Sequence, residues 1–305
     1  MINTVYVIAG PTAIGKSDLS ISLANKVNGA VINSDSMQVY KNLEILTARP
    51  SINEMKSIDH HLYGFIDGNE RYNVERWCKD ASGIIKKIST NNLTPILVGG
   101  TGLYINTLIN GLIDLPSIPE SIKIESEKIL REFGKDFLIN QIKNIDPESL
   151  KEISHNDTVR LRRIWEVFES TGKKFSKWKL NKNKKFITDY NIKILLFLPD
   201  REKNYQTVNS RFVNMIKNGA VEEVKKLLKL DLHSSLPVMR AHGVPEITKY
   251  LANEINLEEC ISKGQQVTRN YVKRQHTWWN SSKLQIFQQF DKFASEIDIN
   301  SIKIE

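Results

Sequence analysis

GPTAIGKS, residues 10–17, decides the fold, because it matches G-x-x-x-x-G-K-[ST] and sits between a strand-like run and a helix-like one. The run before it, Asn3 to Ala9 (NTVYVIA), is β-branched and apolar. The run after it, Lys16 to Val27, spaces Leu19, Ile21, Leu23, Ala24 and Val27 as a helix with a buried face. Gly10 and Gly15 let the backbone turn tightly enough for successive amides to face one anion. Lys16 adds a full positive charge, and the Ser17 hydroxyl is a ligand type for Mg²⁺. A chance match in a chain of 305 residues is on the order of one in a hundred from average residue usage, before the strand–helix context is counted. All eight residues, Gly10, Pro11, Thr12, Ala13, Ile14, Gly15, Lys16 and Ser17, are therefore expected to bind a diphosphate or triphosphate.

Working outward, Ala30 to Ile32 and Pro95 to Val98 read as further buried strands, and Val74 to Ile88 carries helical apolar spacing. Continuous apolar strands alternating with helices predict a parallel sheet covered on both faces. From Pro116 to Tyr190 this rhythm breaks into mainly helical sequence with no convincing strand, and Ile192 to Leu198 (IKILLFL) restores it. Leu257 to Trp278 reads as helix, followed by a tail with little signal. The expected architecture is thus α/β: a P-loop NTPase-like parallel sheet core over 1–115 and 191–305, with an inserted, mainly helical subdomain over 116–190.

At other strand ends, the expected strand at Pro95 to Val98 leads into GGTG with no carboxylate, unlike an ordinary P-loop NTPase. The acid stands instead in NSDSMQVY, as Asp35 after the second strand. Ligands of open parallel sheets bind beyond the carboxyl ends of the strands, so Asp35 and Thr101 are candidates to share a crevice with Lys16. Asp35 also suits a helix N-cap.

The net charge of +8 favours an acidic partner, although a base-composition bias toward Lys, Asn and Ile would also raise it. The charge is clustered: Lys151 to Tyr190 holds eleven Lys or Arg against five Asp or Glu, with Trp165, Phe168, Phe175 and Trp178 interleaved. Arg160, Arg162 and Arg163 fall within one helical turn, a crowding that phosphate would relieve. Cys78 and Cys260 are far apart and build neither a disulfide framework nor a zinc site, and no apolar segment is long enough for a bilayer. A cytoplasmic protein with no membrane partner, acting as a monomer, is expected. The adjacent His60 and His61 would point to opposite faces of a strand and make a poor chelate.

These segments together resemble the tRNA dimethylallyltransferase family. The resemblance rests on GPTAIGKS, on NSDSMQVYKNLEILTARP (33–50), on HHL (60–62), on GGTGLYI (99–105) and on TRNYVKRQHTWW (268–279), nearly the whole chain. It implies that dimethylallyl diphosphate, with Mg²⁺ on Ser17, lies on the loop. The acceptor it implies is the exocyclic amine of the adenosine 3′ of the anticodon, position 37, in tRNAs reading codons that begin with U. Asp35 would act as general base, Thr101 would touch the RNA, and Arg211 would serve the leaving diphosphate. The tRNA anticodon stem-loop would meet Asp35, Ser36, Met37, Gln38, Thr101, Lys123, Val159, Arg160, Leu161, Arg162 and Arg163. The sequence departs from the family at Thr207, where an arginine is common, and at 238–246 (VMRAHGVPE), where an aromatic-containing turn is more usual. An adenylate dimethylallyltransferase, a P-loop nucleotide or metabolite kinase, and a non-catalytic RNA-binding module are the competing readings.

Overall fold

The computed structural model describes residues 3–55 and 58–304. The chain divides into two compact units, Met1–Ile109 with Phe186–Glu305, and Asn110–Lys185.

The larger unit begins β1 (Asn3–Ala9), α1 (Lys16–Val27), β2 (Gly29–Asn33), the short α2 (Ile52–Met55), β3 (His60–His61), α3 (Val74–Thr90), β4 (Thr94–Gly99) and α4 (Gly102–Asn110). In the smaller unit lie β5 (Leu112–Ile113), α5 (Glu120–Ile145), α6 (Pro147–Lys151), α7 (Thr158–Thr171), α8 (Phe175–Trp178) and β6 (Asn183–Lys184). The larger unit then resumes with β7 (Tyr190–Phe197), α9 (Arg201–Lys217), α10 (Ala220–Leu228), α11 (Val244–Leu251), α12 (Leu257–Ser281) and β8 (Gln288–Phe290).

Six strands form one parallel sheet in the order β3-β2-β4-β1-β7-β8. Strand alternation sends successive residues to two separate cores. Val5, Val7, Ala9, Ile32, Leu97 and Leu196 join the core built with Trp77 and Ala81 of α3, Ile105 of α4 and Phe212 of α9. Tyr6, Ile8, Val31, Ile96, Val98 and Leu195 join the core built with Leu19 and Leu23 of α1 and with Ala294 and Ile302 near the C-terminus. Burial on both faces explains why these strands read as unbroken apolar runs.

The C-terminal tail, which carried little signal, adds the edge strand β8, and Phe290 stacks on Phe197 of β7 with centroids 4.7 Å apart. In the smaller unit β5 and β6 pair antiparallel, Leu112 opposite Lys184 and Ile113 opposite Asn183. The expectation of no strand in 116–190 thus needs correcting at Asn183–Lys184, a pair too short to display a period of two. The rest of that unit packs on its own core of Leu138, Ile142, Leu161, Ile164 and Trp165. Within α5, Gly134 has φ 75° and ψ 178°, so the segment is two helices meeting at a break.

Candidate active site

The turn from β1 to α1 is held in its shape by backbone that only certain residues tolerate. Gly10 has φ 146°, and a Cβ there would stand 2.3 Å from the Phe197 carbonyl oxygen. Gly15 is the left-handed N-cap of α1 and offers no side-chain cap, so the first amides of that helix keep their donors for a ligand. Ala13 is a non-glycine residue at φ 64°, a conformation costing about 1–2 kcal/mol that surrounding contacts must hold.

Those contacts converge on Thr12. Its amide donates to Gln275 Oε1 at 2.9 Å, its carbonyl accepts from Asn204 Nδ2 at 3.0 Å, and its Oγ1 accepts from Arg211 Nη2 at 2.7 Å. Lys16 Nζ donates to the Pro11 carbonyl at 2.5 Å. Burial pulls the Lys16 ammonium down to about 7, with Asp35 opposing the shift and Arg211 adding to it. Burial likewise lowers Arg211 to about 10, again opposed by Asp35. Two cations and one carboxylate thus share a pocket short of negative charge, as an anion site requires.

Asp35 follows β2. Its Oδ1 accepts from the Met37 amide at 2.8 Å and the Gln38 amide at 3.4 Å, so it caps the turn that follows. Its amide donates to Asn33 Oδ1 at 2.8 Å, and buried Asn33 donates in turn to the carbonyls of Asp35 and Leu62, both at 3.0 Å. Among the described residues no hydrogen bond engages Oδ2, and Asp35 lines both cavities described next, so capping and an open carboxylate oxygen coexist. Thr101 Oγ1 accepts from the Ser36 amide at 3.2 Å, tying the GGTG loop to the Asp35 turn.

Two cavities adjoin at these residues. One, of about 270 Å³, is lined by the loop from Thr12 to Asp18 together with Asp35, Gln38, Arg49 and Arg211. The other, of about 190 Å³, is mostly apolar, with Met37, Leu46, Val208, Phe212, Met215 and Tyr271 in its wall. Thr12, Asp35, Thr47 and Arg211 belong to both. Tyr271 lies beside Thr101, its phenol pushed up by burial and by Asp35. His242 meets the Tyr271 ring edge-on at 4.8 Å and is held below the usual imidazole range, first by burial and then by Arg274.

The expected diphosphate residues, Asp35 and Arg211 are therefore brought together, and Thr101 reaches them through Ser36. Gln275, Asn204, Tyr271 and His242 were not singled out from sequence. One usable signal was a glutamine on the buried stripe Thr268, Val272, Gln275, Trp279 of α12. Thr207, in place of the arginine common in the resembling family, is exposed, donates to the Lys203 carbonyl and lines neither of these two cavities.

In the smaller unit the candidate RNA residues divide. Val159 is 76% exposed, whereas Leu161 is fully buried in that unit's core and presents no surface. Arg160 has a side chain 69% exposed, beside Asp157 at 3.4 Å. Arg162, only 19% exposed, bonds Ser126 Oγ at 2.9 Å, Glu127 at 3.1 Å, the Lys123 carbonyl at 3.2 Å and Glu166 at 3.3 Å. Its charge is neutralised by two glutamates, so the crowding of arginines does not by itself require phosphate. Lys123 pairs with Glu120 at 3.0 Å, and the Arg163 side chain lines a cavity with Arg160, Phe175 and Lys179. Trp165 is core, as an apolar helix face dictates.

The sequence model of a family described as IPP transferase matches residues 38–282, and that of a family described as Isopentenyl transferase matches 3–64. The chain belongs to the IPP transferase family. The tRNA dimethylallyltransferase of Ehrlichia canis (strain Jake) is 39% identical over 279 residues, covering 92% of both chains. That of Wolbachia pipientis wMel is 41% identical over 282 residues, covering 92% of this chain and 93% of the relative. Among solved structures, the tRNA isopentenylpyrophosphate transferase of Bacillus halodurans superimposes with TM-score 0.67 at 32% identity, over 94% of this chain and 89% of that one. A eukaryotic dimethylallyltransferase acting on tRNA superimposes with TM-score 0.77 at 33% identity, over 90% of this chain and 69% of that one. The parallel, P-loop-like core is thus the core of a transferase family that works on tRNA.

Proposed function

We propose that this chain transfers a dimethylallyl group from dimethylallyl diphosphate to the exocyclic amine of adenosine 37 in tRNAs reading codons that begin with U. The observation that carries the reading is the junction of an anion cradle with an apolar cavity at Asp35 and Arg211. A diphosphate ester of a short apolar alcohol has this two-part chemistry, whereas a nucleoside triphosphate would set a polar sugar and base against Met37, Val208 and Phe212.

The adenine amine is a weak nucleophile because its lone pair is delocalised into the ring. Reaction therefore leans on ionisation of the allylic C–O bond, with the departing diphosphate received by Lys16, Arg211 and the first amides of α1. As the C–N bond forms, the amine's proton passes to the Asp35 carboxylate. The target base leaves its stack in a tRNA loop, where unstacking is cheaper than in a duplex.

The Ser17 hydroxyl lines the cradle and makes no hydrogen bond among the described residues, so it fits a ligand of Mg²⁺ completed by diphosphate oxygens. When bound, that ion would offset charge on the leaving group.

The anticodon stem-loop is proposed to meet Asp35 to Gln38, Thr101, Lys123, Val159, Arg160 and Arg163, with Leu161 and Arg162 shaping that surface from beneath. Two free, buried cysteines suit action in the cytoplasm, and we take the working form to be a monomer. No helix among the described residues is long and apolar enough to cross a membrane.

Labelled dimethylallyl diphosphate, offered with a cognate tRNA, the same tRNA carrying guanosine at position 37, and free AMP, tests the proposal. Label in the first alone is expected. Label in AMP would move the assignment to an adenylate transferase, and tRNA-stimulated ATP hydrolysis without prenyl transfer would end it.

A further inference from the structure

Of the three side chains that grip Thr12, one reaches onward. Gln275, 4% exposed, accepts from the Thr12 amide at 2.9 Å and donates from Nε2 to the Gly100 carbonyl at 3.1 Å. The space it occupies is kept clear by Gly100, where a Cβ would stand 2.1 Å from that same nitrogen. One residue further, Thr101 accepts from the amide of Ser36, which directly follows Asp35. A single amide therefore links the phosphate loop to the loop that holds the carboxylate's turn. The bond to Gly100 is buried and the bond to Thr12 partly so, and a bond shielded from water defines a distance.

We infer that Gln275 is a positioning residue: it fixes the separation between the donor's diphosphate on the loop at Thr12 and the proton acceptor Asp35, without touching either reacting atom. The inference rests on the transfer reading given above. An amide is the group the position needs, because it carries an acceptor and a donor on one rigid plane without a charge. Glutamate keeps the acceptor for Thr12 but faces the Gly100 carbonyl with another oxygen. Methionine keeps the length and offers neither bond.

The test uses the full chain with Gln275→Met and Gln275→Glu, after thermal melting has established folding. Single-turnover prenyl transfer, donor affinity without tRNA, and hydrogen exchange at the Thr12 amide are measured. Gln275→Met should slow the chemical step about 10–100-fold while donor affinity changes less than about threefold, as expected of lost alignment rather than lost binding. Its Thr12 amide should exchange faster. Gln275→Glu should keep Thr12 protected and recover part of the rate. A folded Gln275→Met enzyme at wild-type rate, or a loss residing wholly in donor affinity, overturns the inference. Should Gln275→Met fail to fold, the same-sized Gln275→Glu decides: a slowed step with Thr12 protected supports it, and a wild-type rate refutes it. If the wild-type chain transfers no prenyl group, the functional reading fails by itself. The exchange of Thr12 still reports separately whether Gln275 holds the loop.

Discussion

Raising the pH above neutrality should weaken donor binding through one group, Lys16. Burial holds its ammonium at about 7 instead of the ordinary 10.5, so at pH 8 most of the unliganded protein carries a neutral amine at the phosphate loop. A diphosphate ester has lost its last phosphate proton near pH 6 and brings its full negative charge to that amine. The bound anion favours the protonated form, and binding above pH 7 therefore takes up a proton. With a free value near 7 and an ammonium that the bound diphosphate keeps charged across this range, the donor dissociation constant should rise about 50-fold from pH 7 to pH 9, approaching tenfold per unit. Arg211, at about 10, stays charged through this window, and His242 titrates below it, so neither imitates the slope.

Calorimetry of dimethylallyl diphosphate binding without tRNA, in buffers of different ionisation heat, reads both the affinity and the proton. At pH 8 about 0.9 proton should be taken up per donor bound, from the same ionisation arithmetic. Lys16→Arg, whose guanidinium stays charged, should flatten the profile. A dissociation constant constant from pH 7 to pH 9, or an undiminished slope in Lys16→Arg, would refute the reasoning. The sign for folding runs the other way. A lysine depressed in the folded state binds fewer protons there than in the unfolded chain between about 7 and 10.5. The burial cost is therefore fully present below 7 and is relieved as pH rises, so the unliganded protein gains stability across the window in which it loses donor affinity.

Asp35→Asn should leave donor binding nearly intact and lower the single-turnover rate by roughly two to four orders of magnitude, since the amide keeps the turn but takes no proton. A near wild-type rate would return Asp35 to a capping role alone. Arg160→Ala should reduce the log–log salt slope of tRNA binding by roughly 0.9 with little change in melting temperature. Arg162→Ala should instead lower stability by about 3–5 kcal/mol, because Glu166 is left buried without its cation; equal effects of the two substitutions on stability would contradict the division. Gly10→Ala should abolish measurable donor binding or folding, since its Cβ would stand 2.3 Å from the Phe197 carbonyl oxygen. A soluble variant that binds donor normally would mean that the turn relaxes freely.

How much of this was legible in the sequence depended on how local the determinant is. β1, α1, β2, β4 and β7 could be read because two-sided burial demands unbroken apolar runs, and α3 because one face carries its apolar residues at helical spacing. β8 could not: QQF presents no alternation, and its pairing comes from Phe290 finding Phe197 across the sheet edge. β6 is two exposed residues whose strand character exists only opposite Leu112 and Ile113.

The site divides in the same way. Asp35 stands two residues beyond β2 and Lys16 opens α1 at the end of the turn from β1, so short stretches of chain carry their placement. Arg211, Asn204 and Gln275 act on Thr12 from α9 and α12, whose register against the loop is set by packing such as Phe212 against Gly264, where an added Cβ would come within 2.1 Å of the ring. Composition cannot supply that register, and a buried glutamine signals only that two partners exist. Arg162 makes the converse point. Its charge was plain in the sequence, and charge alone suggested phosphate, but α7 brings Glu166 one turn away and α5 brings Glu127 opposite. Whether a cation stays open to solvent or is held by the fold is decided by which carboxylates share its surroundings, and here the outcome differs between residues two positions apart. Arg160 remains 69% exposed to solvent, while Arg162 is consumed in holding α5 to α7.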